Sequence, residues 1–486
     1  MKNKYLALIF ANIIVLSGCS LAPVYEVPKQ AVPDNFKESG LWQKAHPSDQ
    51  LLRGDWWKLF NDETLNSLEQ RVNSSNQDLA IAFARYKESK AYEAEASSEL
   101  SPTLSGFTDV TANRQSDDRP LRGSNQPNTY GANTIGLAAS YELDLWDRVH
   151  NLVTSSKATL QASEAELESV RLALHANLAN DYLKLRSLDA EEKVLNDAIE
   201  SYRRQSTIIE NRFKGGIASA QDFSRAQTQL EETQTKVADV IASRSLLEHA
   251  IATLVGESAS SFSISPSTGN IEQPDIPVSV PSTLLERRPD IAAAERRVAA
   301  ANAEIGVARS AFYPDITLGL AGGFQNTGGL GLLTLPNSFW SIGPAALLTL
   351  LDGGRRDAEV DRAQALMDEA AAKYRGTVLN AFKEVEDNLV LLRQLHEENL
   401  DEQAAVKSAQ RTLELSTNRY HEGIVSYLEV IDAEEAALRT KRTSLSITSR
   451  SLIASIDLIR ALGGGWTKSP SNIKTIDAST GYKMHE

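Results

Sequence analysis

Apolar residues recur along this chain in two periods, and the switches between them fall at prolines and glycines. From 62 to 100 the spacing is helical, dominated by Ala, Glu, Leu and Lys with no Pro or Gly. Pro102 ends that helix, because it lacks an N–H and clashes with the preceding turn. Residues 103–113 and 131–145 then alternate as strands, around a polar loop that contains Asp117, Asp118, Pro120 and Gly123. Residues 149–213 again contain no Pro or Gly, which predicts about 100 Å of helix at 1.5 Å per residue. Its apolar period is that of a heptad: Leu160, Leu167, Leu174, Leu188, Leu195, Tyr202 and Ile209 share one position, broken by Asp181. Lys214-Gly215-Gly216 interrupts the helix and 220–255 resumes it, so the two form an antiparallel hairpin over 149–255.

The same succession then repeats. A helix opens at Pro289-Asp290 and reaches Phe312, strands follow at 315–325 and 338–351, and a second hairpin spans 353–462 with its turn at Glu422-Gly423. Asn211-Arg212-Phe213-x-x-Gly216-Ile217-x-Ser219 matches Asn418-Arg419-Tyr420-x-x-Gly423-Ile424-x-Ser426. Leu145-Trp146-Asp147 matches Leu350-Leu351-Asp352, and Ser101-Pro102 matches Tyr313-Pro314. A period of about 207 residues is too long for a small-unit solenoid and marks a duplicated half-molecule. The organisation expected is a first repeat over 61–262, a Ser/Pro/Thr-rich linker over 263–288, and a second repeat over 289–466. A tail at 467–486 is expected to be disordered.

In 137–145, Leu137, Ala139, Tyr141, Leu143 and Leu145 share one face, while Ala138, Ser140, Glu142 and Asp144 share the other. In 316–324, Ile316, Leu318, Leu320 and Phe324 line one face with Gly322. Two readings fit: a sheet packed on a soluble core, or a sheet whose apolar face meets lipid. The alternation in 103–113 and 338–351 is weaker and does not choose between them. Strands of about 10 residues fit a bilayer, but an open edge cannot sit in lipid. Four strands are too few to close, so a membrane sheet needs several chains. Two would give eight strands with a filled interior, and three would give twelve with room for a pore.

The N-terminus favours a membrane. Lys2 and Lys4 precede an apolar stretch from Tyr5 to Leu16 that is too short to span a bilayer. Leu16-Ser17-Gly18-Cys19 then fits a bacterial lipobox, with residues 1–18 as signal peptide and Cys19 as the lipidated mature terminus. The other reading is an ordinary signal peptide followed by a chance cysteine. Acyl chains on one residue would anchor the chain, at about 0.8 kcal/mol per buried CH₂. The Pro-rich stretch 19–60 then reads as a tether. Cys19 is the sole cysteine, so no intrachain disulfide is available. The net charge of −14 argues against nucleic acid as a partner.

Several further motifs extend the picture. They are Asp55-Trp56-Trp57 with Phe60, Asn76-x-Asp78-Leu79, Arg288-Pro289-Asp290-Ile291, Ala311-Phe312-Tyr313-Pro314, and Ala461-Leu462 before Gly463-Gly464-Gly465-Trp466. Together with the lipobox and the two Arg-aromatic-x-x-Gly turns, they resemble the TolC/NodT-like outer membrane factors, in particular the lipoprotein branch. The resemblance covers nearly the whole chain. It implies a mostly α tandem-repeat fold that assembles as a homotrimer. The trimer would form a twelve-stranded outer membrane β-barrel on a twelve-helix periplasmic α-barrel, with an equatorial domain. The function implied is the exit duct of a tripartite efflux pump, passing small molecules such as drugs or toxic compounds. A periplasmic adaptor and an inner-membrane pump would be its partners. A type I protein secretion duct, or a structural coiled-coil envelope lipoprotein, are the alternatives.

The resemblance also places sites. The adaptor-docking tips would be Gly216, Ile217, Ala218 and Ser219 with Gly423, Ile424, Val425 and Ser426. Both glycines also read simply as helix C-caps, although exposed Ile217 and Ile424 exceed what a cap requires. A periplasmic aperture gate would involve Leu428 and Asp432, four apart and so on one helix face, with Arg225 at the position equivalent to Asp432. The alternative is a solvated acid on an ordinary helix face. No Gly-x-Ser-x-Gly, His-Glu-x-x-His or phosphate-loop Gly-Lys-Ser occurs, so no enzymatic activity, metal or cofactor is expected beyond the lipid on Cys19.

Overall fold

The computed structural model describes residues 20–39, 54–116, 127–269, 271, 273–274, 287–328 and 331–464. The signal segment, Cys19, the acidic part of the first polar loop, most of the linker and the tail lie outside the described residues. Seven helices and four strands organise the described part: α1 (Glu63–Ser75), α2 (Gln77–Ser98), β1 (Thr103–Arg114), β2 (Thr129–Glu142), α3 (Arg148–Lys214) and α4 (Ala220–Leu254). The second copy adds α5 (Pro289–Ser310), β3 (Asp315–Asn326), β4 (Ser338–Leu347), α6 (Arg355–His421) and α7 (Tyr427–Ala461). The duplication is visible in the lengths: α3 and α6 are both 67 residues long, and α4 and α7 both 35.

The single helix expected over 62–100 is two helices. Asn76 separates them with an extended backbone (ψ 129°). Its side-chain oxygen accepts from Leu79 N at 2.9 Å as an N-cap, and its amide donates to the Leu254 carbonyl at 2.8 Å. Asn competes with the helical ladder in this way wherever a second partner rewards the break.

One compact unit draws its described residues from 20–29, 85–164 and 293–375 and contains the sheet. The strand order is β1-β2-β3-β4, every neighbouring pair antiparallel, so the two copies join where β2 meets β3. β4 stops at Leu347, short of the expected 351, because Leu347 pairs with Asp315, the first residue of β3, and Pro314 before it offers no N–H. β2 likewise ends at Glu142 and not at 145. Beyond it, Asp144 turns to the start of α3, where its carboxylate accepts from Val149 N at 3.1 Å and His150 N at 2.8 Å.

The register settles which residues share a face. Leu104, Ala139, Leu320 and Ile342 form one row across the sheet, Gly106, Leu137, Gly322 and Trp340 the next. The opposite face carries Ser105, Ala138, Ala321 and Ser341, and Thr103, Ser140, Gly319 and Gly343. One face is thus apolar over all four strands; the other is mostly small or polar, with Phe107 and Phe339 on it in line with Gly136 and Gly323. The apolar face is uncovered: Trp340 is 78% exposed, Leu104 69%, Ile342 62% and Leu137 58%. The outer edges of β1 and β4 pair with no other strand among the described residues. At the foot of the sheet, Ala96, Val149 and Val153 form a small core with Leu100 and Leu152.

Residues 20–25 run along α5 in this unit. Asn302 donates to the Pro23 carbonyl at 2.8 Å, Arg309 to that of Leu21 at 3.1 Å, and Ser20 to the Asn151 side chain at 3.2 Å. Gly306 permits this close approach, since a Cβ there would lie 2.8 Å from Ala22 and 2.5 Å from Asn151.

The other unit draws its described residues from 30–84, 165–292 and 376–464, and these are mainly helical. Trp56, Trp57 and Phe60 are buried in a short 3₁₀ turn. Trp57 stacks on His175 of α3 with 4.4 Å between ring centres. His175 meets Glu69 of α1 at 2.5 Å, both fully enclosed. Asp189 takes Arg244 of α4 at 2.6 Å and Arg186 at 3.0 Å. Arg288 joins Glu384 of α6 and Asp290, each at 2.7 Å, to the Ala461 carbonyl at the end of α7. No described helix is long and apolar enough to cross a membrane.

Candidate functional site

The two hairpin turns have one geometry. After α3, Ile217 N donates to Arg212 O at 2.8 Å and Gly216 N to Phe213 O at 2.9 Å. After α6, Ile424 N donates to Arg419 O at 2.9 Å and Gly423 N to Tyr420 O at 3.0 Å. Both are Schellman closures, which demand a left-handed residue. Gly216 supplies it at φ 74° and Gly423 at φ 75°. The cap accounts for the glycines but not for the residues next to them, because Ile217 is 80% exposed and Ile424 61%. Ser219 then caps α4, accepting from Asp222 N at 3.1 Å, whereas Ser426 sits at the N-cap of α7 without such a bond. Ala218 and Val425 are half-buried.

The turns converge on one core. Ile209 of α3, Ala226 of α4 and Tyr427, Val430 and Ile431 of α7 are buried together, with Ala218, Phe223 and Tyr420 packed on them. Phe213 stacks on Phe223, 5.8 Å between ring centres. Leu428 and Asp432 lie on the opposite, exposed side of α7, as a four-residue spacing dictates. Arg225 is half-buried, and no ion pair joins it to Asp432 among the described residues.

A polar group that the sequence reading overlooked sits inside this region. Glu434 is 3% exposed. It accepts from Gln205 Nε2 of α3 at 2.5 Å, and Tyr427 donates to the other amide atom of Gln205 at 3.4 Å. Its second oxygen has no partner, nor has either amide atom of the buried Gln229 of α4. Burial pushes the Glu434 carboxyl up to about 7, with the nearby Gln229 and Gln205 amides pulling partly back. Burial also raises Tyr202 and Tyr427 above the ordinary phenol range. The signal was present: Tyr427, Val430, Ile431, Glu434 and Ala437 fall on one stripe of α7, and Glu434 is the only charge on it.

In the sheet-bearing unit, Asp144, Asp147 and His150 bring three ligand atoms within 4.8 Å of one another. Both Asp144 oxygens already accept hydrogen bonds from the first turn of α3, so the group reads as a helix cap.

A sheet with one uncovered apolar face and two unpaired edges, joined by duplication to long helical hairpins, defines a subunit of a membrane channel. Residues 68–257 and 280–464 match the profile of the Outer membrane efflux protein family, and the chain belongs to that family. The outer membrane protein OprJ of Pseudomonas aeruginosa is 31% identical over 94% of this chain and 95% of its own length. SilC of Salmonella typhimurium, described as a probable outer membrane lipoprotein, is 28% identical over 96% of this chain and 100% of its own. Among solved structures, the CmeC outer membrane channel of Campylobacter jejuni superposes with a TM-score of 0.87 at 27% identity, covering 93% of this chain and 96% of its own. The chain is an outer membrane channel of an efflux system, with a TolC-like fold.

Proposed function

We propose that three copies of this chain form the exit duct of a tripartite pump, passing small molecules outward once a periplasmic adaptor and an inner-membrane pump engage it. The observation that carries this reading is the apolar row of Leu104, Ala139, Leu320 and Ile342 ending at two unpaired edges. Edges left open in lipid cost several kcal/mol per unsatisfied group, so β1 of one copy pairs with β4 of the next. Twelve strands leave a pore where eight would be filled by side chains.

In this assembly Gly216, Ile217, Ala218 and Ser219, with Gly423, Ile424, Val425 and Ser426, meet the adaptor. The two exposed isoleucines support that role, since a cap alone requires neither. Leu428 and Asp432 form the aperture ring, where three like charges repel and favour cations, and Arg225 marks where the two repeats differ. Cys19 carries the lipid that fixes the chain at the outer membrane, as the lipobox sequence supports.

The test is an SDS-resistant trimer by gel and discrete conductance in planar bilayers. A monomer without conductance would overturn the proposal. Ile217→Asp with Ile424→Asp separates docking from assembly: export in cells falls at least tenfold while trimer and conductance persist.

A further inference from the structure

We propose that Glu434 is a proton-operated latch that holds α7 against the α3–α4 hairpin and lets it go when the proton leaves. The proposal rests on the reading of the α7 start as the aperture, and it makes Glu434 a positioning residue for Asp432 and Leu428.

Burial favours a proton at this place. Glu434 is enclosed by α3 and α4, one oxygen taken by Gln205 and the other without a partner. Gln229 beside it is 7% exposed, and neither atom of its amide has a partner. An ionised carboxylate there faces only the dipoles of the Gln229 and Gln205 amides, which offset less than burial costs. A protonated one gains an O–H that can donate to Gln229, satisfying two orphaned oxygens with one hydrogen bond.

The surrounding titratable groups offer no counter-charge. Tyr202 faces the site from α3, and Tyr427 and Glu435 lie on α7 itself. Tyr420 of α6 and Asp222 of α4 act on Tyr427. All are phenols or acids. The device belongs to one repeat only. The residue equivalent to Glu434 in the first copy is Gln227, which is exposed and donates to Glu231 at 3.0 Å.

Glu434 and Asp432 are two residues apart, so they point to opposite sides of α7. Loss of contact behind the helix therefore frees the face that carries Asp432 and Leu428. The sign follows from the proton count. In water the carboxyl titrates near 4.5, and latched it titrates near 7. Between these values the latched state keeps a proton that the released state lacks. Each unit of pH increase then weakens the latch, by up to about tenfold. Below 4.5 the latch gains nothing further, and above 7 it loses nothing further.

The experiment uses the full-length assembled channel with spin labels at Ile217→Cys and Ile424→Cys, read as a distance, alongside bilayer conductance, both from about pH 4.5 to 8. The expected result is a longer label distance and a higher open fraction at the alkaline end. Glu434→Gln abolishes both shifts, and Asp432→Asn leaves the distance shift intact. A distance shift that survives Glu434→Gln overturns the latch. A distance shift abolished by Glu434→Gln, with conductance flat throughout, supports the latch and overturns the placement of the aperture. If Glu434→Gln does not assemble, Gln205→Leu serves instead. Loss of its amide must move the midpoint to higher pH, and an unmoved midpoint overturns the proposal.

Discussion

The guanidinium of Arg212 lies over the ring of Tyr420, 5.2 Å from its centre. These residues end α3 and α6 and belong to matching motifs of the two repeats, so the contact ties one hairpin tip to the other. A cation–π pair at a partly exposed site contributes about 0.5–1 kcal/mol. Arg212→Ala should therefore raise the open fraction of the channel roughly two- to fivefold. Single-channel recording at fixed pH checks this, and Arg212→Lys should retain part of the effect.

The sheet register yields a paired prediction. Ile342 lies on the apolar face and Ser341 beside it on the polar face. An arginine on the lipid side costs about 2–4 kcal/mol near the bilayer midplane and little on the lumen side. Ile342→Arg should sharply reduce folding into vesicles, while Ser341→Arg should fold normally and alter ion selectivity. Equal insertion of the two variants would refute the assignment of faces.

Arg288 joins the start of α5 to α6 and to the end of α7 through Asp290, Glu384 and the Ala461 carbonyl. Its two acids are partly exposed, so solvent screens the loss. Arg288→Ala should lower unfolding free energy by about 1–3 kcal/mol, measured by denaturant titration of the assembled protein. Arg288→Lys should recover less than half, because an ammonium lacks the planar fork that holds both Asp290 oxygens while reaching Glu384 and the Ala461 carbonyl.

Glu69 and His175 make a pH prediction with a definite sign. Burial raises Glu69 well above 4.5 and lowers His175 from 6.5 to about 4. Above 4.5 the raised carboxyl of Glu69 keeps a proton in the folded chain that the unfolded chain has lost, so its contribution to stability declines as pH rises. From about 4 to 6.5 the unfolded chain holds a proton on His175 that the folded chain lacks, so the histidine's contribution grows, and the two slopes oppose each other. Glu69→Gln removes the compensating acid. Its melting temperature should rise with pH from about 4 to 6.5, as His175 alone dictates. A flat profile for Glu69→Gln would show that the histidine keeps its ordinary pKa in the fold.

Much of this architecture was legible because it is periodic. Heptads set the long helices, the repeat set their number, and Gly216 and Gly423 marked the turns, since few other residues adopt a left-handed backbone. The break at Asn76 was hidden because its partner, the Leu254 carbonyl, lies far along the chain. The end of β4 was hidden because it depends on where β3 begins. Glu434 read as one acid among several until α3 and α4 enclosed it.

The sequence by itself determined the kind and order of most elements, the duplication and the family, because each is written in local spacing and in motifs that need no neighbour to be read. Tertiary structure alone decided the faces. Weak alternation in β1 and β4 became a continuous apolar surface only once Leu104 was aligned with Ile342 through β2 and β3. In the same way, two acids two residues apart on α7 became different objects, Asp432 in water and Glu434 out of it. Burial is a property of what packs against a residue, and no local pattern carries it.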